Sequence, residues 1–295
     1  MDAGAKNRVK LWLRSERALG LGASVTAPSS FAPDAAVQAI AIAEQIAPAQ
    51  HHVSAEKTEP SALFPAISAP SEMAPRGGLV PPPSVEPFTA PSLSTDEKRR
   101  RLIALDNNEV RGCTRCRLCE TRTQTVFGEG DADAPIFFIG EGPGENEDLK
   151  GRPFVGRAGE LLDKMIAGMG LKREQVYIAN IVKCRPPGNR VPMPDEVATC
   201  TPYLERQIEI IRPKVIVTLG LPALKYMMND PKLTMGRSRG NWREWRGIKL
   251  MPTFHPAYVL RQYTDETRAA VWSDLKQVLV ELGMPIPTRG RTGSA

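Results

Sequence analysis

The sequence predicts an α/β fold of three layers, in which helices cover both faces of a central four-stranded parallel sheet. Two observations lead to this prediction. Short runs of consecutive apolar residues alternate along the chain with longer segments whose apolar residues recur at helical spacing. Runs that are apolar at every position are typical of strands buried on both faces, as in parallel sheets flanked by helices.

The predicted strands and helices follow one another in alternation. Each strand is a short apolar run, whereas each helix carries capping or terminating residues at its ends. The predicted strands span residues 134–140, 176–184, 214–220 and 248–256. The predicted helices span residues 94–110, 158–170, 195–213, 221–230 and 265–283.

Composition separates this domain from the rest of the chain. Residues 26–95 are rich in Ala, Pro and Ser and poor in aromatic residues, which predicts a disordered linker because such a segment buries little apolar surface. Residues 1–25 form a short amphipathic segment. The compact domain spans 96–284, and residues 285–295 are predicted to be a disordered tail.

Net charge and hydropathy indicate which partner and which cellular compartment to expect. The net charge of +6 and the isoelectric point of about 9.1 fit a polyanionic partner without requiring one. No run of 18 apolar residues is present, so we expect no membrane segment. The first residues lack the continuous apolar stretch of a secretion signal. We therefore expect a cytoplasmic protein.

Five cysteines lie in the compact domain, at positions 113, 116, 119, 184 and 200. Their odd number and the missing secretion signal favour metal binding over a disulfide framework. Spacing alone permits zinc or an iron–sulfur cluster, and it does not decide which cysteine is spare. Cys200 also falls on the apolar stripe of a predicted helix, where it could be an ordinary core residue.

The ends of the predicted strands carry the first signal of function. Gly140, Asn180, Gly220 and His255 fall at or near the carboxyl ends, where parallel sheets bind their ligands. Asn180 can both donate and accept hydrogen bonds, although it could equally cap backbone. His255 could be a satisfied buried residue, and Phe154 is either a hydrophobic plug or a stacking plate.

The stretch "GEGPGENEDLKGRPFVGRAG" follows the first strand. It lacks the Gly-Lys-Ser/Thr of a phosphate loop and the third glycine of a dinucleotide fingerprint, and its four carboxylates would repel a polyphosphate. Its free backbone amides suit a neutral ring or a developing anion. The alternative is a tight turn that only reverses the chain.

Four motifs resemble those of family-4 uracil-DNA glycosylases, the iron–sulfur branch of their superfamily. They are "CTRCRLCETRTQTVFGEG", "GEGPGENEDLKGRPFVGRAG", "YIANIVKCRPPGNRVP" and "TFHPAY". The resemblance implies the three-layer fold above and an enzyme that flips uracil out of DNA and hydrolyses its N-glycosidic bond, which starts base-excision repair. It also implies a 4Fe–4S cluster held by Cys113, Cys116, Cys184 and Cys200, with Cys119 spare.

The same resemblance assigns roles to the pocket residues. The implied catalytic residues are His255, Glu141 and Gly142, and the implied uracil-binding residues are Glu147, Phe154 and Asn180. The basic residues of two loops are expected to contact DNA phosphates, although each could be a solvated surface charge, and they are Lys183, Arg185, Arg190, Arg237 and Arg239. The expected wedge into the vacated stack is Val259 or Leu260, one of which could instead pack in the core.

The expected partner is uracil-containing DNA, bound by a monomer. A protein partner is possible for the N-terminal arm, the part of the chain before the compact domain.

A related branch of the superfamily traps uracil-DNA through an extra histidine. The corresponding stretch "VKCRPPGNRVPMP" has no histidine, which favours turnover. Two alternatives stay open. One is a non-catalytic iron–sulfur module that binds DNA, and the other is an inactive fold that holds zinc.

Overall fold

The computed structural model describes residues 86–88 and 91–287. The predicted amphipathic segment 1–25, nearly all of the predicted linker 26–95 and most of the tail 285–295 lie outside these residues, so those assignments stay predictions. Among the helices of the described ranges, none combines the length and the apolar character that crossing a membrane requires.

The centre of the fold is one sheet with the strand order β1-β3-β2-β4-β6-β5. Its four inner strands are parallel, which confirms the predicted central sheet. Two short edge strands pair antiparallel with it and were not predicted. The strands are β1 (Glu129–Gly130), β2 (Ile136–Gly140), β3 (Tyr177–Asn180), β4 (Val215–Leu219), β5 (Arg243–Trp245) and β6 (Ile248–Thr253).

Helices flank the sheet on both sides, and the five predicted helices are present with ends shifted by a few residues. A π-helical turn, Asp106–Val110, continues the first of them. Three short helices, Glu145–Lys150, Met235–Ser238 and Pro256–Arg261, were not predicted. In the described ranges the α-helices are α1 (Thr95–Leu105), α2 (Glu145–Lys150), α3 (Arg157–Gly168), α4 (Pro194–Ile211), α5 (Leu221–Met228), α6 (Met235–Ser238), α7 (Pro256–Arg261) and α8 (Asp265–Glu281).

Strand β2 shows why three layers form. Its side chains alternate between the two faces, and every one of them is buried. Phe137 packs in a cluster with residues of α1, α4 and α5, whereas Phe138 packs in a second cluster with residues of α3, α7 and α8. A strand that is covered on both faces has no polar side, so the run 136–139 is apolar throughout.

The end of the predicted linker contacts the domain at the edge strand β5. The Phe88 ring lies under the guanidinium groups of Arg212 and Arg246, at 4.3 and 3.9 Å from the ring centroid. Arg246 Nε also donates to the Glu86 carbonyl oxygen at 3.0 Å. These cation–π contacts and this hydrogen bond attach residues 86–88 to the domain.

Candidate active site

The carboxyl ends of the parallel strands meet at a cavity of about 790 Å³. The sequence predicted that the strand ends would converge, because β2, β3, β4 and β6 run in the same direction. The six residues predicted to surround a substrate all line this cavity, and they are Glu141, Gly142, Glu147, Phe154, Asn180 and His255.

Asn180 is the last residue of β3 and lies opposite Gly140 in the sheet. A Cβ atom on Gly140 would lie 2.3 Å from Asn180 Oδ1 and 2.6 Å from Phe154 Cζ, so the glycine leaves room for both side chains. Asn180 is 1% exposed, and its Oδ1 has no hydrogen-bond partner among the described residues. A buried acceptor without a partner costs free energy, which a ligand with an N–H group at this point would recover.

Phe154 is held in place by its loop. Its backbone is in the left-handed region, with φ at 51°. The N–H groups of Val155 and Gly156 donate to Glu147 Oε1 at 2.8 and 2.9 Å, and the Gly144 N–H donates to Glu147 Oε2 at 3.1 Å. Both oxygens of Glu147 are thus bound to backbone, and this carboxylate ties the start of α2 to the loop of Phe154.

His255 lies across the cavity from the loop and faces the same space as Phe154, with their ring centroids 5.6 Å apart. Its Nδ1 accepts a hydrogen bond from the Ala257 N–H at 3.0 Å, which caps α7. Burial lowers the pKa of His255 to about 4, with a smaller contribution from Arg261. The imidazole is therefore neutral at neutral pH, and Nε2 carries the hydrogen that it can donate.

Glu141 follows β2 directly and lines the cavity beside Gly142. Burial raises the pKa of the Glu141 carboxyl, and no hydrogen bond or charge from the described residues offsets this effect. Of the two carboxylates in the cavity wall, Glu141 is the one whose oxygens are free to bind water.

Four of the five cysteines surround a second, much smaller cavity, and they are Cys113, Cys116, Cys184 and Cys200. Cys119 does not line it. Arg122 donates to Cys184 Sγ at 3.0 Å, and the Lys183 N–H donates to Cys200 Sγ at 3.1 Å. Burial raises the pKa of Cys184 to about 11 and that of Cys200 to about 12, so neither thiol ionises readily unless a cation is bound beside it.

Of the described Cys, His, Asp and Glu residues, only cysteines line this second cavity, which suits a four-cysteine metal centre. Within the described ranges no three Cys, His, Asp or Glu side chains converge as they would on one ion. Four thiols around one small cavity fit either an iron–sulfur cluster or a four-cysteine zinc centre.

Comparison with known proteins places this fold and pocket in a family. The model of the uracil DNA glycosylase superfamily matches residues 127–276. The chain is 49% identical over 180 residues to a type-4 uracil-DNA glycosylase of Thermotoga maritima, which covers 61% of this chain and 94% of that protein. The chain belongs to the type-4 uracil-DNA glycosylases.

Other type-4 enzymes match over similar lengths. The enzyme of Saccharolobus solfataricus is 48% identical over 179 residues, covering 58% of this chain and 82% of that protein. The enzyme of Archaeoglobus fulgidus is 46% identical over 187 residues, covering 61% of this chain and 93% of that protein. Part of this type-4 chain lies outside each of these alignments.

Lys183 does not lie on the surface of this type-4 domain. It is 1% exposed, and its ammonium group donates to the Asn180 carbonyl oxygen at 3.0 Å and to Gln207 Oε1 at 2.6 Å. Burial lowers the pKa of Lys183 to about 8. The prediction that Lys183 contacts DNA phosphates is wrong, because the side chain is enclosed between β3 and α4.

Arg239 is also engaged inside the domain. Its guanidinium makes two hydrogen bonds to the buried carboxylate of Asp274, at 2.6 and 3.2 Å, and one to the Ala270 carbonyl oxygen at 2.6 Å. Most of its donors are therefore taken, but the side chain keeps some exposed surface, so its contact with DNA stays a prediction. Arg237, two residues earlier, is exposed and free to meet DNA.

Arg185 and Arg190 lie near the mouth of the cavity in partly buried positions. Arg190 lines the cavity and makes a two-point ion pair with the buried Glu196, at 2.6 and 2.8 Å. Arg185 Nε donates to Asn189 Oδ1 at 2.8 Å. Both keep some exposed surface, so their contact with DNA stays a prediction.

The two residues predicted as a wedge lie in different environments. Val259 is 2% exposed and packs in the core, so its predicted insertion into DNA is wrong. Leu260 is partly exposed but does not line the cavity. Tyr258 does line it and is 39% exposed, with its ring stacked on Phe254 at 4.8 Å between centroids. Sequence reasoning missed both aromatic residues, since an apolar stretch as short as α7 does not reveal which side faces the solvent.

Proposed function

We propose that this protein is a uracil-DNA glycosylase, which hydrolyses the N-glycosidic bond of deoxyuridine in DNA and so starts base-excision repair. The observation that carries this proposal is the buried, unpartnered Oδ1 of Asn180 beside the Phe154 ring, in a cavity that also contains His255. A base within a duplex cannot reach such a cavity. The nucleotide must therefore leave the stack, at a cost of about a few kcal/mol.

Recognition of uracil follows from the hydrogen-bonding pattern of the base. Asn180 Oδ1 accepts from the N3–H of uracil, and its amide group donates to O4. Cytosine presents the opposite pattern at both positions and would leave buried groups unpaired, which discriminates strongly against it. Phe154 stacks on the face of the ring. Glu147, fixed by its three backbone hydrogen bonds, forms the wall beside C5 that excludes the methyl group of thymine.

Cleavage proceeds by departure of uracil with the bonding electrons. Negative charge then develops on O2, where the Nε2–H of neutral His255 and the backbone amide of Gly142 donate hydrogen bonds. Water that Glu141 orients attacks C1′ of the cationic sugar, and the oxygen of that water becomes the new hydroxyl group. Glu141 accepts the proton that the water releases and passes it to solvent, and the uracil anion takes up one proton from solvent, so the products are neutral uracil and an abasic sugar.

The grip on DNA comes from basic residues around the cavity. Arg237 is exposed, Arg190 lines the cavity, and Arg185 is hydrogen-bonded to Asn189, which also lines it, so all three could contact phosphates. Such contacts raise affinity without choosing a sequence. Tyr258 also lines the cavity, and its ring stacks in the space that the flipped base leaves, the role predicted for Val259 or Leu260.

The four cysteines around the small cavity hold a 4Fe–4S cluster in this proposal. These four cysteines would hold the cluster from three segments of the chain, namely the loop of Cys113 and Cys116, the segment of Cys184, and α4 through Cys200. Because Cys184 follows Asn180 by four residues, this link steadies the strand end that reads the base. The monomeric state and a protein partner for the N-terminal arm stay proposals without a structural basis in the described residues.

The test uses the full chain and oligonucleotides that contain a single uracil, thymine or cytosine. After incubation, alkali cleaves the strand wherever a base has been released. We expect scission at uracil alone, with more product than enzyme, since the protein turns over. Binding of uracil-DNA without scission would favour a non-catalytic DNA-binding module, and product that stops at one per enzyme molecule would indicate trapping.

A further inference from the structure

Asp274 is a buried carboxylic acid that takes no part in the uracil recognition, bond cleavage or DNA contacts proposed above. It lies on α8 with no exposed surface, and it does not line the cavity. One of its oxygens, Oδ2, accepts from Thr253 Oγ1 at 2.8 Å and from Arg239 Nε at 3.2 Å. The other accepts from the second donor of Arg239 at 2.6 Å. Asp274 therefore joins two separate segments of the chain behind the cavity wall.

Both partners of Asp274 adjoin Phe254, which lines the cavity. Thr253 ends β6, directly before Phe254 and His255. The guanidinium of Arg239 lies 5.5 Å from the centroid of the Phe254 ring. The Phe254 ring also stacks on the exposed Tyr258 ring, with 4.8 Å between the ring centroids and an interplanar angle of 29°. A continuous series of contacts thus runs from a buried carboxylate to an exposed ring.

We propose that Asp274 and Arg239 are positioning residues for Tyr258. The ion pair fixes the Phe254 ring, and Phe254 holds the Tyr258 ring at the cavity mouth, where it stacks in the space that the flipped uracil leaves. This inference rests on the proposed function. Stacking of an aromatic ring on a base contributes most when the ring is held in one orientation, because less rotational freedom is lost on binding.

The dependence on substrate separates positioning from a purely structural role. Extruding a uracil from a U·A pair costs more than presenting one that is already single-stranded. A residue that fills the vacated stack accordingly matters for the duplex and little for the single strand. An ion pair that only stabilises the fold would, when broken, lower activity on both substrates equally.

The experiment compares single-turnover rates on a U·A duplex and on the same strand alone. The variants are Tyr258→Ala, Arg239→Lys and Asp274→Asn. In each variant the single-turnover rate on the duplex is expected to fall by about tenfold, which is the scale of one lost stacking contact. The rate on the single strand is expected to stay within about twofold of that of the unmodified protein. Arg239→Lys keeps the positive charge but loses the two-point geometry, so the proposal remains testable even where Asp274→Asn fails to fold.

Arg206→Lys is the matched control, because Arg206 pairs with Glu109 at 2.5 Å on the surface, outside the cavity. A second readout is the fluorescence of 2-aminopurine placed next to the uracil, which rises when the base is extruded. We expect a smaller rise in all three variants and an unchanged rise in the control. Equal losses on the duplex and the single strand would overturn the inference, as would a loss in Tyr258→Ala that Arg239→Lys does not share. Failure of the unmodified protein to release uracil from either substrate would instead overturn the proposed function.

Discussion

Gly159 lies against the backbone of Phe154, so that a Cβ atom at position 159 would come within 1.8 Å of the Phe154 carbonyl oxygen. The obstacle is backbone rather than a flexible side chain, and it belongs to a residue whose φ is already positive. The loop that carries the Phe154 ring can take its observed course only because residue 159 has no side chain.

Gly159→Ala should therefore displace Phe154 and weaken uracil binding. We expect KM for uracil-DNA to rise by about tenfold or more, because displacing an aromatic stacking partner removes a contact of that scale. The measurement is steady-state kinetics on a uracil oligonucleotide, with circular dichroism to confirm folding. Gly168→Ala, in the same helix, is the control, since its Cβ would meet only Trp272 at an ordinary 3.8 Å. Unchanged kinetics in Gly159→Ala would contradict a stacking role for Phe154.

Asn180→Ala should abolish most activity while leaving the fold intact. The side chain makes the hydrogen bonds that distinguish uracil, and Oδ1 has no other partner in the described ranges, so its removal disrupts no bond of that atom. We expect single-turnover rates to fall by about 100-fold or more, the usual effect of losing a preorganised hydrogen-bonding group. Asn108→Ala, at an exposed position on the π-helical turn, should behave as the unmodified protein. Full activity in Asn180→Ala would exclude it from base recognition.

The parallel part of the fold could be predicted because each inner strand is mostly apolar and is followed by a segment of helical spacing. The edge strands β1 and β5 could not, because two or three residues form a strand only through pairing with a neighbour that is distant in sequence. Asn180 and His255 could be assigned to one site before their distance was known, since the carboxyl ends of parallel strands share an edge.

Buried pairing partners of Lys183 and Arg239 could not be predicted, because those partners are far along the chain. A lysine or an arginine is expected to be exposed unless it is paired. The partner of Lys183, Gln207, lies 24 residues away, and the partner of Arg239, Asp274, lies 35 residues away. Nothing in the local sequence reveals either pairing, so both side chains were assigned to the surface.

The imidazole of His255 should titrate well below the ordinary value. His51 and His52 are the other histidines of the chain, and replacing both by alanine leaves one imidazole to follow by NMR. We expect a midpoint near pH 4, where burial places the pKa, and the Nε2–H tautomer throughout neutral pH. A midpoint near 6.5 would contradict the neutral donor proposed for cleavage.

The lowered pKa of His255 also predicts how the stability of the protein depends on pH. The unfolded chain protonates this histidine at about pH 6.5, whereas the folded protein does so only at about pH 4. As pH falls between these values the unfolded state binds more protons, so the free energy of unfolding decreases. Comparing urea denaturation of the unmodified protein with His255→Gln isolates this contribution, and the variant should show a weaker decrease over the same window.

Cys119→Ala should keep its iron, whereas Cys184→Ala should lose it. Cys184 lines the small cavity with three other thiols, and Cys119 does not. The measurements are iron content and visible absorbance of the purified proteins. A colourless, iron-free Cys119→Ala protein would reverse the ligand assignment, and zinc in place of iron in the unmodified protein would favour a zinc-bound fold.

Arg237→Ala should weaken DNA binding without changing which base is removed. Arg237 is exposed, whereas Arg239 beside it is held by Asp274, so Arg237 is the member of this pair that is free to meet a phosphate. Loss of one such contact should reduce the slope of log affinity against log salt by about 1. Lys249→Ala is the control, because Lys249 is also exposed but lies at the start of β6, the end opposite the cavity. An unchanged salt slope in Arg237→Ala would remove this residue from the DNA-binding surface and leave Arg185 and Arg190 as the basic residues at the mouth.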